Sequence, residues 1–232
     1  MKQSTRVFTG NNKLYFMGLL FLFSAGIISL LVFGKDFGSI SIHAKHPFWI
    51  NVFFINYTFM GNGLFAVCLA SVFIFYFNRR KEGFALLYGF IISAIAIQLL
   101  KNIGNFTYPT LFIEQGQYLF SGEDASLTAP GIYVSGHTVI AFALATVFVS
   151  VAKKSYWQLP LLFAALLLAY SRMYLAQHFL SDVLIAVLAG TLSGIAAVYL
   201  AYKFKGLRYY LTGFFSSIKR RAVSMEENIQ SA

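Results

Sequence analysis

The chain has 232 residues, of which 58% are hydrophobic, 18% aromatic and only 11% charged, and its formal net charge is +10. A soluble domain carries roughly 25% charged residues, and no single aqueous core hides 26 Phe and 14 Tyr. A water-soluble globular protein is therefore excluded, and the bilayer becomes the main solvent.

A hydrocarbon core needs ~20 mostly apolar residues per helix. Runs of that kind lie at about 14–34, 49–77, 83–102, 134–152, 156–173 and 180–202. They predict an all-α, polytopic membrane protein with about six transmembrane helices. The runs are continuously apolar rather than alternating, which disfavours a β-barrel. The first run lacks a small-residue cleavage pattern and is long for a signal peptide, so it reads as a retained helix. In the second run, Asn56, Thr58 and Asn62 read as interhelical hydrogen-bonding groups, with a place on a cavity wall as the alternative. Cys68, alone in the stretch FAVCLASVF, has no partner for an internal disulfide and reads as a small buried packing residue. Gly190 and Gly194 in the last run read as a close helix contact. Residues 1–206 form one six-span domain, and 207–232 form a basic tail in which Leu207, Leu211, Phe214, Phe215 and Ile218 alternate with cations. That tail suits an interfacial helix on the inner leaflet or a solubilising extension.

The basic residues divide unequally between the two sides. One side collects Lys2, Arg6, Lys13, Arg79, Arg80, Lys81, Lys153, Lys154, Lys203, Lys205, Arg208, Lys219, Arg220 and Arg221, and the other only Lys35, Lys45, Lys101 and Arg172. Because cations are retained in the cytoplasm, both termini are expected inside. The net charge is then a topology signal and an attraction for anionic lipids on the cytoplasmic side, not a nucleic-acid footprint.

The remaining polar groups gather on the outer side, at the ends of the third to sixth runs. Ionisable groups at membrane depth are costly and are expected only where they pair, face a cavity or do chemistry. His178 and Asp182 are four residues apart, so on a helix they share a face. A carboxylate there can hold one ring nitrogen and leave the other free as a nucleophile. Ser135-Gly136-His137 opens a helix, with serine as N-cap and glycine allowing an anion close to the backbone. Free amides and the dipole at that end suit a phosphate oxygen. Arg172 supplies a planar fork and Lys101 a point charge, together a cradle for a phosphoryl transition state. Each fragment alone is a weak signal, since charges cap helices in every membrane protein. His43 and His46, with Lys45, read as a solvated outer loop.

Taken in order, Lys101 with Pro109, Ser135-Gly136-His137 and Ser171-Arg172-x5-His178-x3-Asp182 resemble the type 2 phosphatidic acid phosphatase superfamily. That group includes membrane lipid phosphatases and is related to vanadium haloperoxidases. Its motifs run Lys-x6-Arg-Pro, Pro-Ser-Gly-His and Ser-Arg-x5-His-x3-Asp. The third matches at every defined position, and the resemblance spans roughly residues 50–202. It implies a six-helix bundle with His178 as the nucleophile that forms a phosphohistidine, oriented by Asp182. His137 is then the general acid for the leaving group and later helps activate water, a role worth ~10²–10⁴ in rate. Lys101, Ser135, Gly136 and Arg172 would hold the phosphate, and no metal or other cofactor is implied. Two positions depart from the pattern. Val134 stands where proline is usual, and Tyr108 replaces an arginine, removing one phosphate-facing cation and leaving a phenol as a possible substrate contact.

The stretch 104–130 mixes aromatic and acidic residues, among them Phe106, Tyr108, Phe112, Tyr118 and Phe120. Aromatic groups favour the headgroup level, so the substrate expected is a lipid phosphate: a lipid A phosphate, undecaprenyl pyrophosphate or a glycerophospholipid phosphate. The short chain points to a bacterial inner membrane with the site facing the periplasm. The same residues would serve a lipid phosphotransferase. A lipid-binding or transport protein with a decayed site is the non-enzymatic alternative, although a transporter would show inverted repeats and broken helices in matching halves. Oligomeric state is not legible.

Overall fold

The computed structural model describes residues 12–33, 47–102, 134–152, 155–175 and 177–203. Tyr108, Pro109, the loop 104–130, His43, Lys45, His46 and the tail from 207 lie outside the described residues. Within them the chain is all-helical. The helices are α1 (Lys13–Phe33), α2 (Phe48–Tyr57), α3 (Gly63–Ser71), α4 (Arg80–Lys101), α5 (Gly136–Val151), α6 (Gln158–Tyr174) and α7 (Leu180–Lys203).

Three of these, α1, α4 and α7, are each long and apolar enough to cross a membrane. The segments Phe48–Gly61 and Gly63–Tyr76 meet the same test as a pair, but they are bent by 61°. That segment is therefore a broken span or a re-entrant loop, where the sequence predicts a continuous span. A 3-10 turn, Thr58–Gly61, follows α2, and Asn62 caps α3 by accepting from the Leu64 amide at 2.9 Å. A π turn, Val72–Tyr76, closes α3. Asn78 then reverses the chain at φ 52°, a left-handed conformation that asparagine tolerates. At 16 and 17 residues, α5 and α6 are shorter than α1, α4 and α7.

The helix α5 is the axis of the bundle, with every residue from Thr138 to Val147 buried. One side packs Ile140, Leu144 and Val147 against Ala85 and Leu86 of α4 and Ala197 and Val198 of α7. The other side packs Phe142, Ala145 and Val149 against Leu162, Ala165 and Ala169 of α6 and Val183 and Val187 of α7. Small residues set the closest approach, as expected where lipid removes the hydrophobic drive between helices. A Cβ on Gly190 would fall 2.4 Å from the Val139 carbonyl oxygen, and one on Gly194 would fall 2.7 Å from that of Ala143. The predicted glycine contact is therefore present, and its rising numbers on both helices show that α5 and α7 run parallel.

Other contacts fix the remaining directions. Ile97 meets Gly136 and Val147 meets Gly89, so α4 runs antiparallel to α5. The Tyr15 amide donates to Gln158 Oε1, and Gly18 meets Leu162, so α1 runs parallel to α6. The N-termini of α5 and α7 and the C-termini of α4 and α6 thus share one end of the bundle. Lys13, Arg79, Arg80 and Lys81 stand at the opposite end.

The periphery is apolar and exposed, as a lipid-facing surface requires. Along α1 only Tyr15 is buried, while Met17, Phe21 and Leu31 stand out. Cys68 is also exposed, which corrects its expected burial. The inward face of α3 is set by Ala66 and Ala70, and a residue midway between them on a helix points away from that face.

Candidate active site

Four helix ends and the broken span converge at the end of the bundle opposite the basic residues. Arg172 lies in the last turn of α6 and is only 8% exposed. Its Nη1 donates to Thr58 Oγ1 at 3.0 Å, tying α6 to the 3-10 turn of the broken span. The Arg172 carbonyl accepts from the Gln177 amide at 3.0 Å, which turns the chain toward His178.

His178 precedes α7 and Asp182 lies in its first turn, and both are buried. His178 Nδ1 is 3.8 Å from Asp182 Oδ2. The spacing brings the two side chains near each other, although His178 stands before the helix rather than on a shared helical face, at a separation beyond hydrogen-bond length. Asp182 Oδ2 also accepts from the Phe179 amide at 3.1 Å, and Oδ1 accepts from Ser181 Oγ at 3.5 Å. The carboxylate therefore caps α7 in the manner of a capping box, reaching back to an amide that has no partner within the helix. Sequence reasoning missed that second role, although an acidic residue in a first turn signals it.

Ser135 is the N-cap of α5, as predicted, and it is fully buried. Its Oγ accepts from the Thr138 amide at 3.4 Å and from Thr138 Oγ1 at 2.9 Å. Two hydrogen bonds thus spend its acceptor capacity on holding the helix end. Gly136 and His137 occupy the first turn, where backbone amides have no acceptor within the helix. His137 is half-buried. It rests against Gly61, where an added Cβ would come within 2.7 Å of the His137 carbonyl oxygen and 2.8 Å of its Cβ.

The structure therefore brings together His137, Arg172, His178 and Asp182, with Ser135 and Gly136 at the same helix start. Lys101 ends α4 at this end of the bundle, beside Leu100 and Ile97, which pack on Val134, Val139 and Ala186. Its own side chain is exposed. Of the three polar residues singled out in the second span, Thr58 makes the interhelical bond. Asn56 and Asn62 bond locally, to the Val52 carbonyl and the Leu64 amide.

Chemically, this end of the bundle gathers a guanidinium, two imidazoles and a carboxylate among buried apolar residues. A guanidinium and helix-start amides suit an oxyanion. His178 turns Nδ1 toward Asp182.

The profile of the PAP2 superfamily matches residues 82–205. The fold is similar to that in the crystal structure of LpxE from Aquifex aeolicus, with a TM-score of 0.58 and 27% sequence identity. That similarity covers 70% of this chain and 93% of the other. No curated protein matches.

Proposed function

The chain belongs to the PAP2 superfamily, and from that premise we propose that it hydrolyses the phosphomonoester or pyrophosphate of a membrane lipid through a phosphohistidine. Family and fold support a lipid phosphatase in general. The observation that carries the finer reading is the meeting of His178, Asp182, Arg172 and His137 at one end of an apolar bundle.

In this reading His178 Nε2 attacks phosphorus and the bond from phosphorus to the lipid oxygen breaks. His137 gives that oxygen its proton. Asp182 compensates the positive charge that develops on His178. Water then attacks the phosphohistidine, His137 takes the water's proton, and orthophosphate leaves with His178 restored. Arg172, Lys101 and the amides of Gly136 and His137 hold the phosphate oxygens throughout. Preorganised donors of this kind are worth far more in a site that excludes water than in bulk. Lys101, exposed in the free protein, swings onto the substrate.

The substrate class follows from position. The site sits at the end of a bundle whose rim is lipid-facing, so a phosphate on a lipid headgroup reaches it without leaving the membrane. A lipid A phosphate, undecaprenyl pyrophosphate and a glycerophospholipid phosphate are the candidates. We place α5 and α6 across the membrane as well, giving six spans. At 16 residues α5 is ~24 Å long, and its burial by neighbours relieves it of the need to match the full bilayer. Lys13, Arg79, Arg80 and Lys81 lie at the end opposite the site. With cations retained in the cytoplasm, the site faces the periplasm of a bacterial inner membrane.

The test is phosphate release by detergent-purified protein from a panel of lipid phosphates. His178→Ala is expected to lower turnover by on the order of 10⁴-fold or more, and full activity in that variant would sink the mechanism. Release that appears only when an acceptor lipid is added would reassign the chain as a phosphotransferase.

A further inference from the structure

We propose that the break in the second span is a working wall of the phosphate site, with Thr58 a positioning residue that aims the Arg172 guanidinium. The proposal rests on the phosphatase reading for what the guanidinium binds, and on geometry for the rest.

Non-helical backbone at membrane depth is tolerated only where protein buries it or where it lines a cavity. The break here bends the chain by 61° and occupies Thr58–Gly61 and Asn62. It touches two parts of the site at once. Thr58 Oγ1 accepts from Arg172 Nη1 at 3.0 Å at the end of α6. Gly61, three residues on, is pressed on the backbone and Cβ of His137 at the start of α5. Asn62 then restarts the helix by capping α3, so the turn is held from both sides.

The chemistry of the Thr58 contact suits an anion site. A carboxylate paired with Arg172 would neutralise the charge on which phosphate binding depends. A hydroxyl is neutral, so this bond fixes the direction of the planar fork and leaves its positive charge in place. Back-bonding to its own helix would use only the hydroxyl's proton, so the oxygen's lone pairs serve Arg172 either way.

The experiment combines Thr58→Val, Thr58→Ser and Arg172→Ala with the Thr58→Val/Arg172→Ala double variant. Each is read by kcat and KM on a lipid phosphate and by calorimetric binding of orthophosphate. Thr58→Val is expected to weaken orthophosphate binding and lower kcat/KM by about tenfold, the scale of a lost hydrogen bond to a charged group. Thr58→Ser restores both to within about twofold, because it keeps the oxygen. In the Arg172→Ala background Thr58→Val changes neither quantity further, since coupled residues are not additive. Equal losses for Ser and Val would overturn the proposal by assigning the effect to packing. A full tenfold loss in the Arg172→Ala background would overturn it too. If the wild type releases no phosphate from any lipid, the phosphatase reading fails by itself. Orthophosphate binding then still decides the claim: weakening in Thr58→Val upholds it and unchanged binding refutes it.

Discussion

Two buried polar clusters sit at opposite ends of the bundle, and they are built on different principles. At the basic end, the Tyr15 amide donates to Gln158 Oε1 at 3.0 Å, and Gln158 Nε2 donates to Ser155 Oγ at 2.6 Å. The Tyr15 and Thr146 hydroxyls share a bond of 3.0 Å. Tyr15 and Thr146 are fully buried and Gln158 is 2% exposed. At the other end Arg172, His178 and Asp182 are nearly as buried, at 8%, 6% and 3%. Burial alone therefore does not mark the site. The first cluster is neutral and closed by short bonds, and it docks α1. The second is ionisable, and its histidine and carboxylate stand 3.8 Å apart. Satisfied neutral networks rigidify, whereas in the proposed mechanism the ionisable groups reorganise around the substrate. Catalytic hydrogen bonds are often long in the free enzyme and tighten on binding.

The comparison is broken most strongly at Asp182, which accepts at the start of α7 and in the proposed mechanism supports His178. Asp182→Asn retains an oxygen to accept from the Phe179 amide while removing the negative charge beside His178. Phosphate release is expected to fall by on the order of 10²-fold or more, with thermal stability in detergent close to the wild type. Asp182→Ala loses the cap as well and is expected to cost about 1 kcal/mol of stability in addition. Equal activity in Asp182→Asn and the wild type would reduce the carboxylate to a helix cap.

Much of this arrangement was legible in the sequence, and the gaps have physical causes. Gly190 and Gly194 announced a close helix contact because only glycine lets backbones approach so nearly. The spacing of His178 and Asp182 announced their proximity, although His178 stands before α7 and not on its face. The break in the second span was announced by Gly61-Asn62-Gly63, a turn-forming cluster. Strong hydropathy on both sides disguised it as one continuous helix. The bond from Arg172 to Thr58 was not legible, because a lone threonine in an apolar run looks the same whether it meets its own helix or another. Cys68 was misplaced for a related reason. In a protein that faces lipid, an apolar residue is at home outside as well as inside, so hydropathy no longer separates core from surface.

A smaller effect tests whether the site depends on the parallel packing of α5 and α7. Gly190→Ala places a methyl group 2.4 Å from the Val139 carbonyl oxygen, a backbone atom that cannot step aside. The expected cost is ~1–3 kcal/mol, as for other overpacked sites, with a loss of phosphate release as His137 and His178 move apart. Gly89→Ala is the control on α4. Its Cβ would sit 3.5 Å from Val147 and 3.8 Å from Ala197, an ordinary contact, and alanine favours a helix over glycine. That variant is expected to be neutral or slightly stabilising. A Gly190→Ala protein with wild-type melting and wild-type activity would mean that the two helix starts are held by something other than this contact.

The smallest effect is expected at the neutral cluster. Tyr15→Phe removes one hydroxyl and its bond to Thr146 without opening a cavity. Thr146 lies in the middle of α5 and can turn its hydroxyl to a carbonyl one turn back in its own helix, so little polarity is stranded. The expected loss is about 1 kcal/mol, read as a lower melting temperature in detergent, with kcat/KM on a lipid phosphate unchanged. Thr146 and His137 share α5, so the clamp and the site are joined by a rigid rod. If activity fell along with stability in Tyr15→Phe, that rod would be transmitting the docking of α1 to the catalytic end. The two clusters would then be one device rather than two.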